Sequence, residues 1–467
     1  MPGSSATTAS DAPSLVASLW SALGGPANLS RAVEFVGPRG GLPSVYAVSE
    51  LAAAQIGAAT LAVAELIAAR RGEAIRPSQV DRRHAAVAFR SERYQRPIGW
   101  QIPPAWDPIS GDYRARNRWI RLHTNYASHR AAVLGVLGTP AERNAVAGAL
   151  LAWDAAALEE AVVHAGGCAA VMRTGPEWSD HPAGAAVAAE PLVAVEATPA
   201  SAPALPAAPT PLSGIRILDL TRVIAGPVCT RFLAAYGADV LRIDPPGFEE
   251  VGALVSETTA GKRRAALDLH DSRGRDVFER LVAGAHVLVV GYRPDALERL
   301  GFSPSVLRRI NPSLVIASLD AYGHTGPWRN RRGFDSLVQM SCGIAARGQG
   351  VAGAGVPVPL PAQALDHGTG YLLAAAVCRA LTHRVQRGQT TIVRTSLAGT
   401  ARFLMDLGEA PIEGDREITV QDAEPFLETV ESAWGPLARV RCPGLVEGTT
   451  PGWSRPPGLL GVDPPEW

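Results

Sequence analysis

The chain has 467 residues, 47% of them hydrophobic and 19% charged, with 44 basic residues against 44 acidic ones. At roughly 150 residues per domain, the length implies about three domains or two large ones, with a core buried without disulfides or metals. The balanced charge removes the usual electrostatic warrant for binding nucleic acid or an anionic membrane, and Cys168, Cys229, Cys342, Cys378 and Cys442 form no CxxC pair of the kind a zinc site or disulfide scaffold uses.

From the N-terminus, MPGSSATTASDAPS lacks the basic start and apolar run of a signal peptide. Ser49–Arg70 is a long helical pattern, and its apolar part, Leu51–Ala69, comes closest to a membrane span. Gln55 and Glu65 interrupt that part, alanines dominate it and Arg70-Arg71 ends it, so it reads as a buried helix of a cytoplasmic protein. A second helix is expected over Arg82–Arg93, then a loop with Pro103, Pro104 and Pro108, a strand at Trp119–Thr124, and helical patterns over Ala127–Leu137 and Ala141–Ala165. Glu190–Ser213 is dominated by Ala and Pro without a hydrophobic period, which predicts an extended, semi-rigid linker.

After the linker, strands alternate with helices. Ile215–Asp219 is a strand; Gly226-Pro227 opens a helix that runs through Ala235 and is closed by Gly237; Val240–Asp244, Val287–Val290 and Leu314–Ser318 are further strands. The alternation predicts a doubly wound α/β domain, its parallel sheet covered on both faces. One weak internal repeat stands out: Glu50 heads an Ala-rich helix ending at Arg71-Gly72, and Asp366 heads another ending at Arg387-Gly388 with the same spacing. A short strand-like run and a second helix follow each.

Three constellations could carry chemistry. Leu218–Arg242 places a helix start at a strand end, which suits a phosphate or is an ordinary crossover turn; with no GxGxxG or GxxxxGK[ST], NAD and P-loop chemistry lack support. YGHTGPWRNRRGFDSLVQ, from Tyr322, follows a strand directly, and its Arg331 and Arg332 either hold an anion or form a solvated turn. In Ala364–Gly370, Asp366 is either a helix N-cap or a nucleophile, and His367 reads as a surface or capping residue. Gly368 and Gly370 are costly inside a helix and imply close approach of backbone or ligand, with room for a large acyl substrate.

Leu212–Leu220, Val223–Pro227, Gly237–Ile243, Leu267–Leu269, Tyr292–Phe302, Tyr322–Pro327, Gly333–Gln339 and Leu365–Gly370 follow one another in an order that resembles the class III CoA-transferase family. This is the CaiB/BaiF group, which also contains α-methylacyl-CoA racemases. The resemblance covers Pro211–Asp406. It implies a Rossmann-like large domain with a smaller α+β domain, acyl-CoA and a small carboxylic acid as substrates, and an interlocked homodimer; no metal is expected, because no His/Cys/Asp cluster in the sequence has ligand spacing. It also implies that Asp366 is the nucleophile, forming a mixed anhydride and then an aspartyl-CoA thioester, and that Val223, Ile224, Ala225, Arg263, Tyr292, Arg299, Arg332 and Phe334 contact CoA. In the racemase branch a histidine precedes the aspartate of a GHD block. Phe334 stands in that place here and cannot move a proton, which favours transfer over racemisation.

Leu365 stands where the family usually has Gly, and the segment after Asp406 is too short for the small domain. The missing pieces resemble segments at the front: Ser49–Arg93 the helical pair after the aspartate, with Glu50 in its place; Tyr113–Thr124 and Trp153–Cys168 the small-domain strand and helix; and Arg173–Ala185 its end. The chain thus reads as two complementary partial copies: 1–189, a linker at 190–213, a CoA-binding domain with the catalytic Asp at 214–410, and a Pro/Gly-rich tail at 411–467. Glu50 is expected to be structural, and whether such chains still form a homodimer stays open. An acyl-CoA racemase on the same fold and a non-catalytic acyl-CoA-binding protein are the alternatives.

Overall fold

The computed structural model describes residues 11–199, 205, 208–409 and 415–467; the first ten residues, part of the linker and the start of the tail lie outside the described residues. Seven strands build the main sheet: β1 (Ala194–Pro199), β2 (Arg216–Leu220), β3 (Asp239–Asp244), β4 (Lys262–Ala266), β5 (Val287–Val290), β6 (Val315–Asp320) and β7 (Gln389–Ser396). They lie in the order β4-β3-β2-β5-β6-β7-β1. All neighbours are parallel except β1, which runs antiparallel along β7 with Ala197 opposite Thr391.

Alternate strand residues feed two cores. Ile217, Val287, Val289 and Val315 belong to one, and Leu218, Leu220, Leu288 and Ile316 to the other, as the period of two requires in a sheet covered on both faces. From β2 the chain builds outward through β3 and β4, then returns to β5 on the other side. That reversal opens a crevice at the carboxyl ends of β2 and β5, where open α/β sheets place ligands.

The expected linker is partly sheet. The run LVAVEAT carries enough β-branched character to pair with the free edge of β7, and Glu196 ties it down through Arg308 and Arg394, both at 3.5 Å.

Five helices position the site: α1 (Val48–Arg71), α2 (Ala225–Ala235), α3 (Asp335–Cys342), α4 (Ala364–Arg387) and α5 (Leu397–Asp406). The sequence repeat is also a geometric one. Helices α1 and α4 each have 24 residues. Their N-caps, Ala47 (φ −74°, ψ 56°) and Gln363 (φ −74°, ψ 60°), share one unusual conformation, and both end on a left-handed glycine, Gly72 and Gly388. They pack side by side, and Arg379 of α4 forms a buried ion pair with Glu65 of α1. Helix α1 is long and apolar enough to cross a membrane, but it is buried inside the fold along its length. Its hydrophobicity is that of a core helix touched on all sides.

Gly111–Arg114, Trp119–Leu122 and Ala169–Val171 form a small antiparallel sheet with a separate core of Tyr113, Ile120, Leu122, Val133, Leu150 and Leu158. The helical pattern expected over Ala141–Ala165 breaks into Arg143–Leu150 and Ala155–His164, because the Asp154 carboxylate caps the second helix at the N–H groups of Ala156 (3.0 Å) and Ala157 (3.2 Å).

The tail is a strap. Its Leu437–Val440 strand lies between Leu427–Val430 and Arg96–Pro97. Its tryptophans anchor on backbone carbonyls, Trp453 on Arg231 (2.9 Å) and Trp467 on Leu281 (2.8 Å).

Candidate active site

Asp366 lies in the first turn of α4, 6% exposed, where two cavities meet. Burial pushes its carboxyl well above the usual range, and the neighbouring Asp335 and Glu92 carboxylates push it further. It does not cap its own helix: the N-cap position is Gln363, with no side-chain cap bond. Asp335, at the start of α3, does that work from outside. Its Oδ2 accepts the N–H groups of Leu365 (2.8 Å) and Asp366 (3.0 Å), two of the groups a helix start leaves unpaired. Burial raises Asp335 to about 6, held back by those N–H groups, the Gln339 amide and His367.

His367 is neither a surface nor a capping residue. It is buried, and its Nε2 meets Glu92 Oε2 at 3.0 Å, joining α4 to the Ser91–Arg93 turn of the N-terminal half. Burial opposes ionisation of Glu92, but the hydrogen bond and charge of His367 outweigh it, so the Glu92 carboxyl is lowered.

The glycines after Asp366 admit protein, not substrate. A Cβ on Gly368 would stand 2.1 Å from Gln55 Oε1 of α1, and one on Gly370 would stand 2.5 Å from the Ala225 carbonyl oxygen of α2. They let three helices converge beneath the carboxylate.

The first cavity, about 400 Å³, opens at the carboxyl ends of β2, β5 and β6. Arg222, Arg293, Arg331 and Arg332 line it. Arg222 stacks over Phe248 (3.6 Å) and Tyr292 (4.9 Å). Arg331 is already engaged by Glu159 (3.0 Å) and Trp328 (3.8 Å to the ring centre). Burial, and then the charge of Arg332, lowers the guanidinium pKa of Arg293, so an anion here would relieve both arginines. The glycine-rich loop beside them offers no free amides at His324 or Thr325, whose N–H groups donate to Glu190 at 3.2 and 2.6 Å.

The second cavity, about 340 Å³, shares Val223, Phe334 and Asp366 with the first. Val223 has φ 64°, the one positive φ at a non-glycine residue among the described residues. A β-branched residue held there stores of order 1–3 kcal/mol of strain, a mark of a site that needs that backbone. Its N–H donates to Glu250 (3.2 Å), which Arg242 (2.9 Å) holds in place. Across the cavity, His123 stacks face to face on Phe334, ring centres 3.7 Å apart and planes within 2°. Burial, with the Arg121 charge second, lowers His123 to about 3. Burial, with Arg332 second, lowers His129 on the first-cavity side to about 4.

Of the residues the family resemblance assigns to CoA, Val223, Ala225, Tyr292, Arg332 and Phe334 gather around the first cavity with Asp366, and Ile224 lines the second. Arg263 and Arg299 line neither. Arg263 lies on edge strand β4, committed to Asp239 (2.7 Å), the Glu466 carbonyl and the Trp467 ring. Arg299 pairs with Asp295 (3.1 Å) in an exposed helical turn. Glu50 accepts the Ala12 N–H (2.7 Å) and pairs with Arg39 (2.7 Å), away from both cavities. Sequence reading missed Arg222 and Arg293, each adjacent to a residue it had picked, and also Glu92, His123 and His129, which no local pattern marks.

Residues 212–411 match CoA-transferase family III. The curated relatives agree. A probable fatty acyl-CoA transferase, Rv3272 of Mycobacterium tuberculosis, is 32% identical over 210 residues, 41% of this chain and 51% of that protein. A formyl-CoA:oxalate CoA-transferase of Afipia carboxidovorans is 35% identical over 210 residues, 42% of this chain and 49% of that protein. The chain therefore spans about half the length of these relatives. Among solved structures, a CAIB/BAIF family protein from Brucella suis is 25% identical over 49% of this chain and 65% of its own, with a TM-score of 0.35.

Proposed function

We propose that the protein is a family III CoA-transferase that moves CoA from an acyl-CoA thioester to a carboxylic acid through Asp366. The observation that carries this reading is the position of Asp366 where an arginine-lined cavity meets a second, less charged one. Arg222, Arg293 and Arg332 suit the phosphates of CoA, and the order of the parallel strands supports a Rossmann-like reading of this half.

In the reaction the Asp366 carboxylate attacks the thioester carbonyl. The C–S bond breaks, and a mixed anhydride and CoA thiolate result. The thiolate attacks the Asp366 carbonyl, releasing the donor acid and leaving an aspartyl-CoA thioester. The acceptor carboxylate repeats the two steps in reverse, so the cycle consumes no proton. Asp335 holds the nucleophile's backbone, and the raised basicity of Asp366 strengthens it once ionised.

Racemisation has one structural point in its favour: His123 lies against Phe334 in the cavity that reaches Asp366. A ring pushed to about 3 is too weak a base for an α-proton, so transfer is the better reading.

The deciding test is intact mass after incubation with acyl-CoAs, trapped with hydroxylamine or borohydride. A covalent adduct on Asp366, absent in Asp366→Ala, is expected. No adduct with any thioester, together with deuterium exchange at the acyl α-carbon, would instead establish the racemase.

A further inference from the structure

We infer that the second cavity seats the acyl group and that it selects neutral, apolar acyl groups over dicarboxylic ones. The inference rests on the transferase reading for its geometry, because Asp366 is the point at which an acyl carbon must arrive. Its volume, about 340 Å³, falls within the range of sites that enclose a small organic ligand.

The inner wall is apolar. Ile224, Val251, Ala253 and Leu254 are all buried there, and Trp106 stands at the rim with 42% of its surface exposed. The charge is equally one-sided. Glu92, Asp335 and Asp366 all face this cavity, while the one cation that lines it among the described residues, Arg93, is half exposed at 49% and 3.9 Å from Glu92. An oxalyl or succinyl group would bring a second carboxylate beside Glu92 and Asp335, where His367 is already taken by Glu92 and no other buried cation among the described residues lines the cavity, and would be desolvated without a partner. His123 supplies a polar edge but no charge, since burial keeps its ring neutral. An apolar acyl group instead gains about 25 cal/mol for each Å² it hides against these walls.

The N-terminal half contributes Ile102, Trp106 and His123, and the C-terminal half Ile224 and Leu254. Selection for the acyl group therefore belongs to both halves, whereas the arginines of the first cavity at positions 222, 293, 331 and 332 all come from the second half.

The test measures binding apart from turnover. Asp366→Asn, which cannot form the anhydride, is titrated by calorimetry with CoA, phenylacetyl-CoA, isovaleryl-CoA and succinyl-CoA. The two apolar thioesters should bind about tenfold or more tighter than CoA, and succinyl-CoA no tighter than CoA. Adding Trp106→Ala, a change at a partly exposed rim residue, should remove several-fold of the apolar gain without altering CoA affinity, and Ala253→Trp should abolish it. Succinyl-CoA binding as tightly as the apolar thioesters would overturn the inference, as would an apolar gain that survives both cavity variants. Failure of the transferase reading would show separately, as the absence of a trapped adduct on wild-type Asp366.

Discussion

Asp335 Oδ2 lies 3.0 Å from the backbone nitrogen of Asp366, so one carboxylate fixes the main chain of the other while opposing its charge. Asp335→Asn keeps an acceptor for the Leu365 and Asp366 N–H groups and removes that opposition. The acid limb of the pH–rate profile should then move to lower pH. Stability should change as well. Asp335 is raised from 3.8 to about 6, so its contribution to folding is complete below pH 4 and is lost as pH rises through 6. Urea denaturation of the variant should lack that decline. Asp335→Ala, by contrast, orphans two buried N–H groups at about 1–3 kcal/mol each.

Arg293→Ala should weaken CoA binding by about 10- to 100-fold, the worth of one charge-assisted contact, and should flatten the dependence of KM on ionic strength. Because Arg332 depresses Arg293 in the free protein, Arg332→Ala and Arg293→Ala should be less than additive. Titration with CoA at two salt concentrations measures both effects.

Val223→Gly relieves the left-handed backbone at the divide between the cavities. Stability should rise or fall by no more than about 1 kcal/mol, strain relief offsetting lost packing and glycine's entropy. Turnover should fall because the divide loosens. A denaturation midpoint lowered by far more would show that the conformation carries no strain.

Arg379→Ala leaves Glu65 buried between α1 and α4 without its partner. A loss of about 3–5 kcal/mol is expected, against a much smaller loss for the double variant Arg379→Met, Glu65→Leu, which replaces both charges with apolar volume.

The elements of the second half could be read from sequence because β-branched runs such as Val287–Val290 and glycine punctuation at Gly237 and Gly388 act locally. The N-terminal half was harder. The break at Asp154 depends on one side chain reaching two amides, and β1 forms because β7 has an edge to offer. The site follows the same division. Asp366 and Phe334 sit in recognisable blocks, but Glu92 and His123 matter only because folding brings them to α4 and Phe334 from distant sequence. Arg263 lies away from both cavities because residues distant in sequence, Trp467 and Glu466, engage it, which no local pattern shows.

The pairing of α1 with α4 sets an order of events during synthesis. Helix α1 leaves the ribosome long before its partner, since α4 ends at Arg387. At about 5–20 residues per second, the face of α1 that α4 will cover waits some tens of seconds, while Ala12–Ala22 and Arg82–Ala88 can cover only its other sides. A helix hydrophobic enough to pass for a membrane span is then a target for holdase chaperones or for mistaken insertion. The halves can close on one another only after Gly388 has cleared the exit tunnel, which makes the nascent chain, more than the finished protein, the vulnerable species.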